Sequence, residues 1–130
     1  MIVLDASAAV DWLLQTPAGK RIEDRLYLQK ESLHAPHLLD LEVTQVLRRL
    51  ARQGIISRLR AEQAVRDLLD LRIHRYPHFM FLSRIWQMRN NLSAYDAAYV
   101  VLAEKLNAIL ITRDSRLASA SGHLAEVEIF

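Results

Sequence analysis

No cysteine occurs anywhere in the chain. Disulfides and thiolate metal sites are therefore excluded, and any metal must be held by oxygen or imidazole. The same absence fits a reducing compartment and predicts a cytoplasmic protein. Glycine and proline are scarce, at three residues each, and no repeat, low-complexity tract or linker interrupts the chain. No apolar run approaches the ~18 residues of a membrane span. No basic segment precedes the apolar N-terminus, which predicts no signal peptide and no membrane partner. A large charge of one sign is missing too: seventeen Lys and Arg nearly balance fifteen Asp and Glu, for a net charge of +2. Overall charge alone points to no polyanion.

What is present describes an ordinary globular protein, with 52% hydrophobic and 25% charged residues, neither disordered nor membranous. At 130 residues the chain reads as one domain, 1–130, long enough for a real core. All but three of the basic residues are arginine, the side chain suited to bidentate phosphate contacts. Arg48, Arg49, Arg52, Arg58 and Arg60 cluster, a pattern that a solvated helical face shares.

Met1-Ile2-Val3-Leu4 runs without alternation into Asp5, as in a strand buried on both faces of a parallel sheet. Ser7 then offers a helix cap, with Ala8, Ala9, Val10, Trp12, Leu13 and Leu14 following. Gln15 to Gly19 reads as a loop, and Lys20 to Gln29 as a short amphipathic helix with Ile22, Leu26 and Gln29 on one side. Glu31 to Ala35 holds a short strand before Pro36. His37 to Gln53 has a strong helical period through Leu39, Val43, Val46, Leu47 and Leu50, ended by Gly54. Ser57 precedes a helix over Arg58 to Leu71. Ile73 to Tyr76 is a brief strand stopped by Pro77, and Phe79 to Arg89 a helix broken by Asn90-Asn91. Ser93 to Leu106 is helical, and Ala108 to Thr112 is a second wholly apolar strand. A polar helix over Ser115 to Ser121 and a strand over Val127 to Phe130 complete the chain. The alternation predicts an α/β fold, an α/β/α sandwich with a mainly parallel central sheet.

Four acids occupy positions that need a reason. Asp5 and Asp114 each end a buried strand, and parallel strands bring such ends to one edge, where ligands bind in open α/β sheets. Two carboxylates a few ångströms apart raise each other's pKa unless a cation joins them. A hard divalent ion such as Mg²⁺ prefers oxygen ligands and removes the conflict. At ~100° per residue, Glu42 lies beside Val46 at the margin of the apolar stripe, a place equally open to a boundary Glu that snorkels to water. Asp96 stands three residues after Ser93, which a capping box explains without a metal. Asp5 as a plain helix cap is the matching alternative.

Together these segments carry a resemblance. Met1-Ile2-Val3-Leu4-Asp5-Ala6-Ser7, Ala35-Pro36 with Glu42-Val43, Leu92-Ser93-Ala94-Tyr95-Asp96-Ala97-Ala98-Tyr99 and Leu110-Ile111-Thr112-Arg113-Asp114 are similar, in order and spacing, to the signature blocks of the PIN domain family. The short single-domain form resembles its VapC toxins, partners of VapB antitoxins. The resemblance implies an endoribonuclease whose acidic quartet, Asp5, Glu42, Asp96 and Asp114, holds Mg²⁺ or Mn²⁺. It also implies a VapB-type antitoxin partner, a homodimer with apolar interface residues on the helices from Ala18 to Leu71, and DNA contact only through the antitoxin. Ser7 and Thr112 match small hydroxyl positions beside the acids. Gln45 stands where the family often has Asn, and Ser115 and Arg116 stand where many members carry a further acid.

Arg113 and Arg116 flank Asp114 and read either as contacts to RNA phosphates or as partners of the acids when no metal is bound. Trp12, Trp86, Tyr95 and Tyr99 sit within helical patterns, which favours packing over base stacking. His34, His37, His74, His78 and His123 show no paired arrangement for a histidine-based ribonuclease. A phosphoacceptor domain also places Asp at a strand end, but dehalogenase-like phosphatases need a second Asp where Ser7 stands, and the acidic pair and late Lys of receivers are missing. The non-enzyme alternative is a PIN-like RNA- or protein-binding module with impaired catalysis, suggested by Gln45 and Arg116.

Overall fold

The side chains of Ile2, Val3 and Leu4 are all 0% exposed, so this strand, β1 (Ile2–Leu4), is covered on both faces as its unbroken apolar run predicts. In this computed structural model, which describes every residue from Met1 to Phe130, β1 is the middle strand. The others are β2 (Leu33–Pro36), β3 (Ile73–Tyr76), β4 (Ile109–Thr112) and β5 (Glu126–Ile129). They lie in the order β3-β2-β1-β4-β5, and every neighbouring pair is parallel. The expected mainly parallel sheet is wholly parallel.

Right-handed crossovers carry the chain outward from β1 to β3 over one face, then back and outward from β4 to β5 over the other. The first face holds α1 (Ala6–Leu13), α2 (Pro17–Gln29), α3 (Leu38–Arg52) and α4 (Arg58–Asp70), which pack on one another. The second holds α5 (Leu82–Gln87) and α6 (Ala94–Leu106), with α6 lying across β1, β2 and β4. A last short helix, α7 (Ser115–Ser119), packs against β5. The result is the α/β/α sandwich. α6 is buried along Ala97 to Ala103, because it spans the sheet's centre and has little outer face. No helix is long and apolar enough to cross a membrane.

Three local expectations are corrected. The helix placed at Lys20 begins at Pro17: Thr16 accepts the Gly19 N–H at 3.0 Å as N-cap, and Pro17 supplies a preset φ at the first helical position. Gly19, expected in a loop, is therefore helical. A Cβ there would stand 1.9 Å from the Asp11 carbonyl oxygen, so glycine is what lets α2 cross α1. Ser7 is not the cap of α1, because Asp5 takes the N-cap position and Ser7 lies inside the helix. Finally, Phe79 to Arg89 is not one helix. A 3-10 turn at Phe79–Phe81 precedes α5, and both leave large apolar residues exposed.

Candidate active site

The connection leaving β1 runs toward β2 and the one leaving β4 runs toward β5. The crevice at the carboxyl ends of β1 and β4 is thus the switch point of the sheet. Asp5 follows β1 directly, and its N–H continues the ladder to the Ile111 carbonyl at 3.0 Å. It is 7% exposed, and its side chain makes no capping bond. Instead Oδ2 accepts two hydroxyls, Ser7 Oγ at 2.6 Å and Thr112 Oγ1 at 2.7 Å. Each hydroxyl in turn accepts a backbone N–H: Ser7 from Arg113 and Thr112 from Asp114, both at 3.0 Å. The two hydroxyls also lie 3.3 Å from each other, but the Asp5 carboxylate is the nearer and the charged acceptor, so it draws both hydroxyl protons. One oxygen is fixed, and Oδ1 takes no hydrogen bond.

Glu42 sits on α3 at the margin of the buried stripe of Leu39, Val43 and Leu47. It is half-buried and accepts the Tyr99 hydroxyl at 2.8 Å. Burial pushes its carboxyl above the ordinary range; the Tyr99 bond pulls it down, and Asp5 and Asp96 push it up again. Tyr99 is 1% exposed, and burial together with the Glu42 charge raises its phenol far above the usual range.

Asp96 occupies the first turn of α6. Its N–H is capped by Ser93 Oγ at 3.1 Å, but its carboxylate accepts no backbone N–H in return. Only half of the expected capping box forms, which leaves the carboxylate free. Burial raises its carboxyl; the nearby Ser93 hydroxyl and Arg116 lower it, while Asp5 and Asp114 raise it.

Asp114 behaves differently. It caps α7 by accepting the Arg116 N–H at 2.9 Å, and both of its oxygens face the Arg116 guanidinium, the shortest contact being 2.6 Å. Arg116 holds its carboxyl below the usual range. Of the two readings offered for Arg116, this one is pairing with an acid. Arg113 turns away from the acids: its Nε donates to Asp11 Oδ2 at 2.7 Å, and its Nη1 bonds the Phe130 carbonyl. Of the two readings offered for Arg113, a phosphate contact or a partner of the four acids, the structure shows neither; here it clamps α1 to the chain's end.

Asp5, Ser7, Glu42, Gln45, Tyr95, Asp96 and Asp114 line one cavity of about 470 Å³ with Ala6, Leu38, Leu41 and Val46. Thr112 lies behind it, fully buried. A larger cavity, about 630 Å³, includes Ser32, Leu33 and His74 and has Glu31 as its only acid; Glu31 is bound to the chain's amino terminus at 2.6 Å. The acids therefore single out the smaller cavity. Its donors, carboxylates without sulfur or imidazole, fit a hard divalent ion. As the side chains stand, no three acids or histidines are grouped closely enough to enclose one, consistent with Asp114 being folded onto Arg116.

The Tyr99–Glu42 bond is the contact that sequence reasoning missed, since the helical pattern favours packing, with base stacking as the alternative, and neither names a carboxylate partner. The spacing of Tyr99 carried a signal: three residues after Asp96, it shares that face of the helix. Trp12 is packed as expected, whereas Trp86 and Tyr95 are 67% and 64% exposed. His34 does meet another histidine, stacking on His74 with centroids 5.0 Å apart. It also bonds Ser32 and Tyr76, has no carboxylate partner, and lies outside the acidic cavity.

The model of the PIN domain matches residues 2–122. Ribonuclease VapC12 of Mycobacterium tuberculosis is 43% identical over 129 residues, covering 99% of this chain and 98% of that protein. Ribonuclease VapC1 of the same organism is 44% identical over 131 residues, covering 98% and 96%. The crystal structure of PAE2754 from Pyrobaculum aerophilum superposes with a TM-score of 0.70 at 26% identity, covering 97% of this chain and 82% of that one. VapC20 of Mycobacterium tuberculosis, described as a sarcin-ricin loop cleaving toxin, superposes at 0.69 and 15% identity over 95% and 97% of the two chains, a likeness of fold.

Proposed function

The chain belongs to the PIN domain family, in its VapC-type branch, and from that premise we propose that it is the endoribonuclease toxin of a toxin–antitoxin pair, dependent on Mg²⁺ or Mn²⁺. The observation that carries the reading is the meeting of Asp5, Glu42, Asp96 and Asp114, from four separate segments, around one cavity at the sheet's switch point. These four residues hold the cation. Bound there, it supplies an acidified water and positive charge for the transition state of phosphodiester cleavage. Ser7 and Thr112 fix Oδ2 of Asp5 and so aim the carboxylate. Tyr99 orients Glu42. Burial raises the carboxyls of Glu42 and Asp96, and their acidic neighbours raise them further, so positive charge entering the cavity favours their ionised forms. The partners under this reading are RNA, a VapB-type antitoxin and a second copy of the chain; DNA is reached through the antitoxin.

Asp5→Asn preserves the hydroxyl contacts in shape and removes the charge. It is expected to abolish RNA cleavage and growth arrest with an unchanged circular dichroism spectrum. Full cleavage by this variant, or by the wild type in excess EDTA, refutes the reading. The grip of Arg116 on both oxygens of Asp114 favours one alternative, an RNA- or protein-binding module in which the site stays closed to metal. Titration with Mn²⁺ separates the two: no divalent binding at the acidic edge selects the binding module.

A further inference from the structure

α3 carries Glu42 to the cavity and then runs on to Arg52. At about 100° per residue, Gln45, Arg49 and Arg52 fall within about 80° of Glu42. Arg49 stays within about 20° of Glu42, while Gln45 and Arg52 turn further, onto the solvent side opposite the buried stripe of Leu39, Val43 and Leu47. Gln45 lines the acidic cavity. With a rise of 1.5 Å per residue, Arg49 stands about 10 Å and Arg52 about 15 Å along the axis from Glu42. Both arginines are exposed, and neither joins an ion pair or a side-chain hydrogen bond. The pairs in the molecule employ Arg25, Arg58, Arg75, Arg84, Arg113 and Arg116 instead.

The charge pattern asks for a polyanion. Four carboxylates around one cavity repel a phosphate chain, and the nearest cation, Arg116, is occupied by Asp114. Positive charge that draws a backbone in must therefore lie beside the cavity, free of acidic partners. We propose that Arg49 and Arg52 form a phosphate-binding track along the exposed, Glu42-bearing side of α3, holding single-stranded RNA where it leads into the cavity; this rests on the ribonuclease reading above. Gln45 joins the track to the site.

A role confined to the helix end, where both arginines meet the negative pole of the dipole, would alter thermal stability and be indifferent to RNA. Fluorescence anisotropy with a labelled 2′-O-methyl oligouridylate, in EDTA and across a range of KCl, reads the track without cleavage. Each phosphate contact on a single strand contributes about 0.7 to the slope of log K against log salt. The double variant Arg49→Gln/Arg52→Gln is expected to lose about 1.4 of that slope and about tenfold or more in affinity at low salt. Arg21→Gln, an exposed and unpaired arginine on α2, is expected to keep the slope. An unchanged slope in the double variant, an equal fall in Arg21→Gln, or no RNA binding by the wild type overturns the track. So does wild-type RNA binding by a double variant that has lost affinity for polyglutamate, which reassigns the row to an acidic protein partner. Wild-type protein that binds with the expected slope yet cleaves nothing when Mg²⁺ is added removes the nuclease reading and leaves the track standing.

Discussion

Tyr99→Phe isolates one bond at the acidic edge. The ring is 1% exposed and belongs to the core, so phenylalanine keeps the packing and deletes only the hydroxyl that serves Glu42 at 2.8 Å. A hydrogen bond to a charged group contributes about 1.5–3 kcal/mol. Glu42 is only half-buried, so water partly replaces the donor and the lower end applies. We expect a loss of about 1.5 kcal/mol at pH 8 in EDTA, which in a chain of this size lowers the melting temperature by about 5 °C. The sign of the pH dependence follows from the carboxyl. Burial first, then Asp5 and Asp96, raise it, while Tyr99 lowers it. Without Tyr99 it rises further, so the folded state binds that proton more tightly than the unfolded state. Stability from this group is then gained as pH falls through the folded pKa and is missing above it. The deficit of the variant is largest above the folded pKa and shrinks as pH falls through it. Melts followed by circular dichroism from pH 5 to 8 check this. A deficit that is constant with pH, or none at all, refutes the claim that the hydroxyl serves the carboxylate's charge.

Two further perturbations probe the frame and the movable acid. Gly19→Ala places a methyl 1.9 Å from the Asp11 carbonyl oxygen and 2.9 Å from the Trp12 nitrogen, so α1 and α2 must part. We expect a loss of about 3 kcal/mol or more in chemical denaturation, and wild-type stability would show that the helices do not cross so closely. Arg116→Gln removes the guanidinium from both oxygens of Asp114 and leaves only the backbone N–H on Oδ1; it is expected to tighten Mn²⁺ binding by up to about fivefold, as befits an exposed ion pair. Weaker binding in calorimetry would mean that Arg116 positions Asp114 for the metal and does not compete with it.

Much of this arrangement was legible because it is local. β1 and β4 show as unbroken apolar runs since burial on both faces removes alternation. The Ser57 and Ser93 caps show because a cap spans only a few residues. Asp5 and Asp114 follow from the same logic, as acids at strand ends. What stayed hidden depends on partners far along the chain. Ser7 looks like a cap until Asp5 takes that place, and its hydroxyl is committed only because the Arg113 N–H arrives from 106 residues away. Nothing near Arg113 in the chain announces its bond to Asp11, 102 residues away. Thr16 and Pro17 were a missed local signal: a cap followed by proline at the first helical position is a helix start, although a Pro-Ala-Gly sequence suggests a loop.

These contacts divide the four acids into a rigid half and an adjustable half. Asp5 hangs from the central strand, with its backbone in the β1–β4 ladder and one oxygen held by two hydroxyls at 2.6 and 2.7 Å. Moving it means breaking the sheet's middle. Asp114 sits at the start of a five-residue helix, and its strongest partner is a guanidinium whose side chain is 81% exposed. Arg116 can swing into solvent without disturbing the core. The absence of a ready three-acid cluster is therefore compatible with metal binding, provided that the adjustable half moves. On this reading a cation meets Asp5 already aimed, relieves the mutual repulsion of Glu42 and Asp96 with their acidic neighbours, and has the Arg116 guanidinium and the α7 cap bond to displace before Asp114 can turn inward.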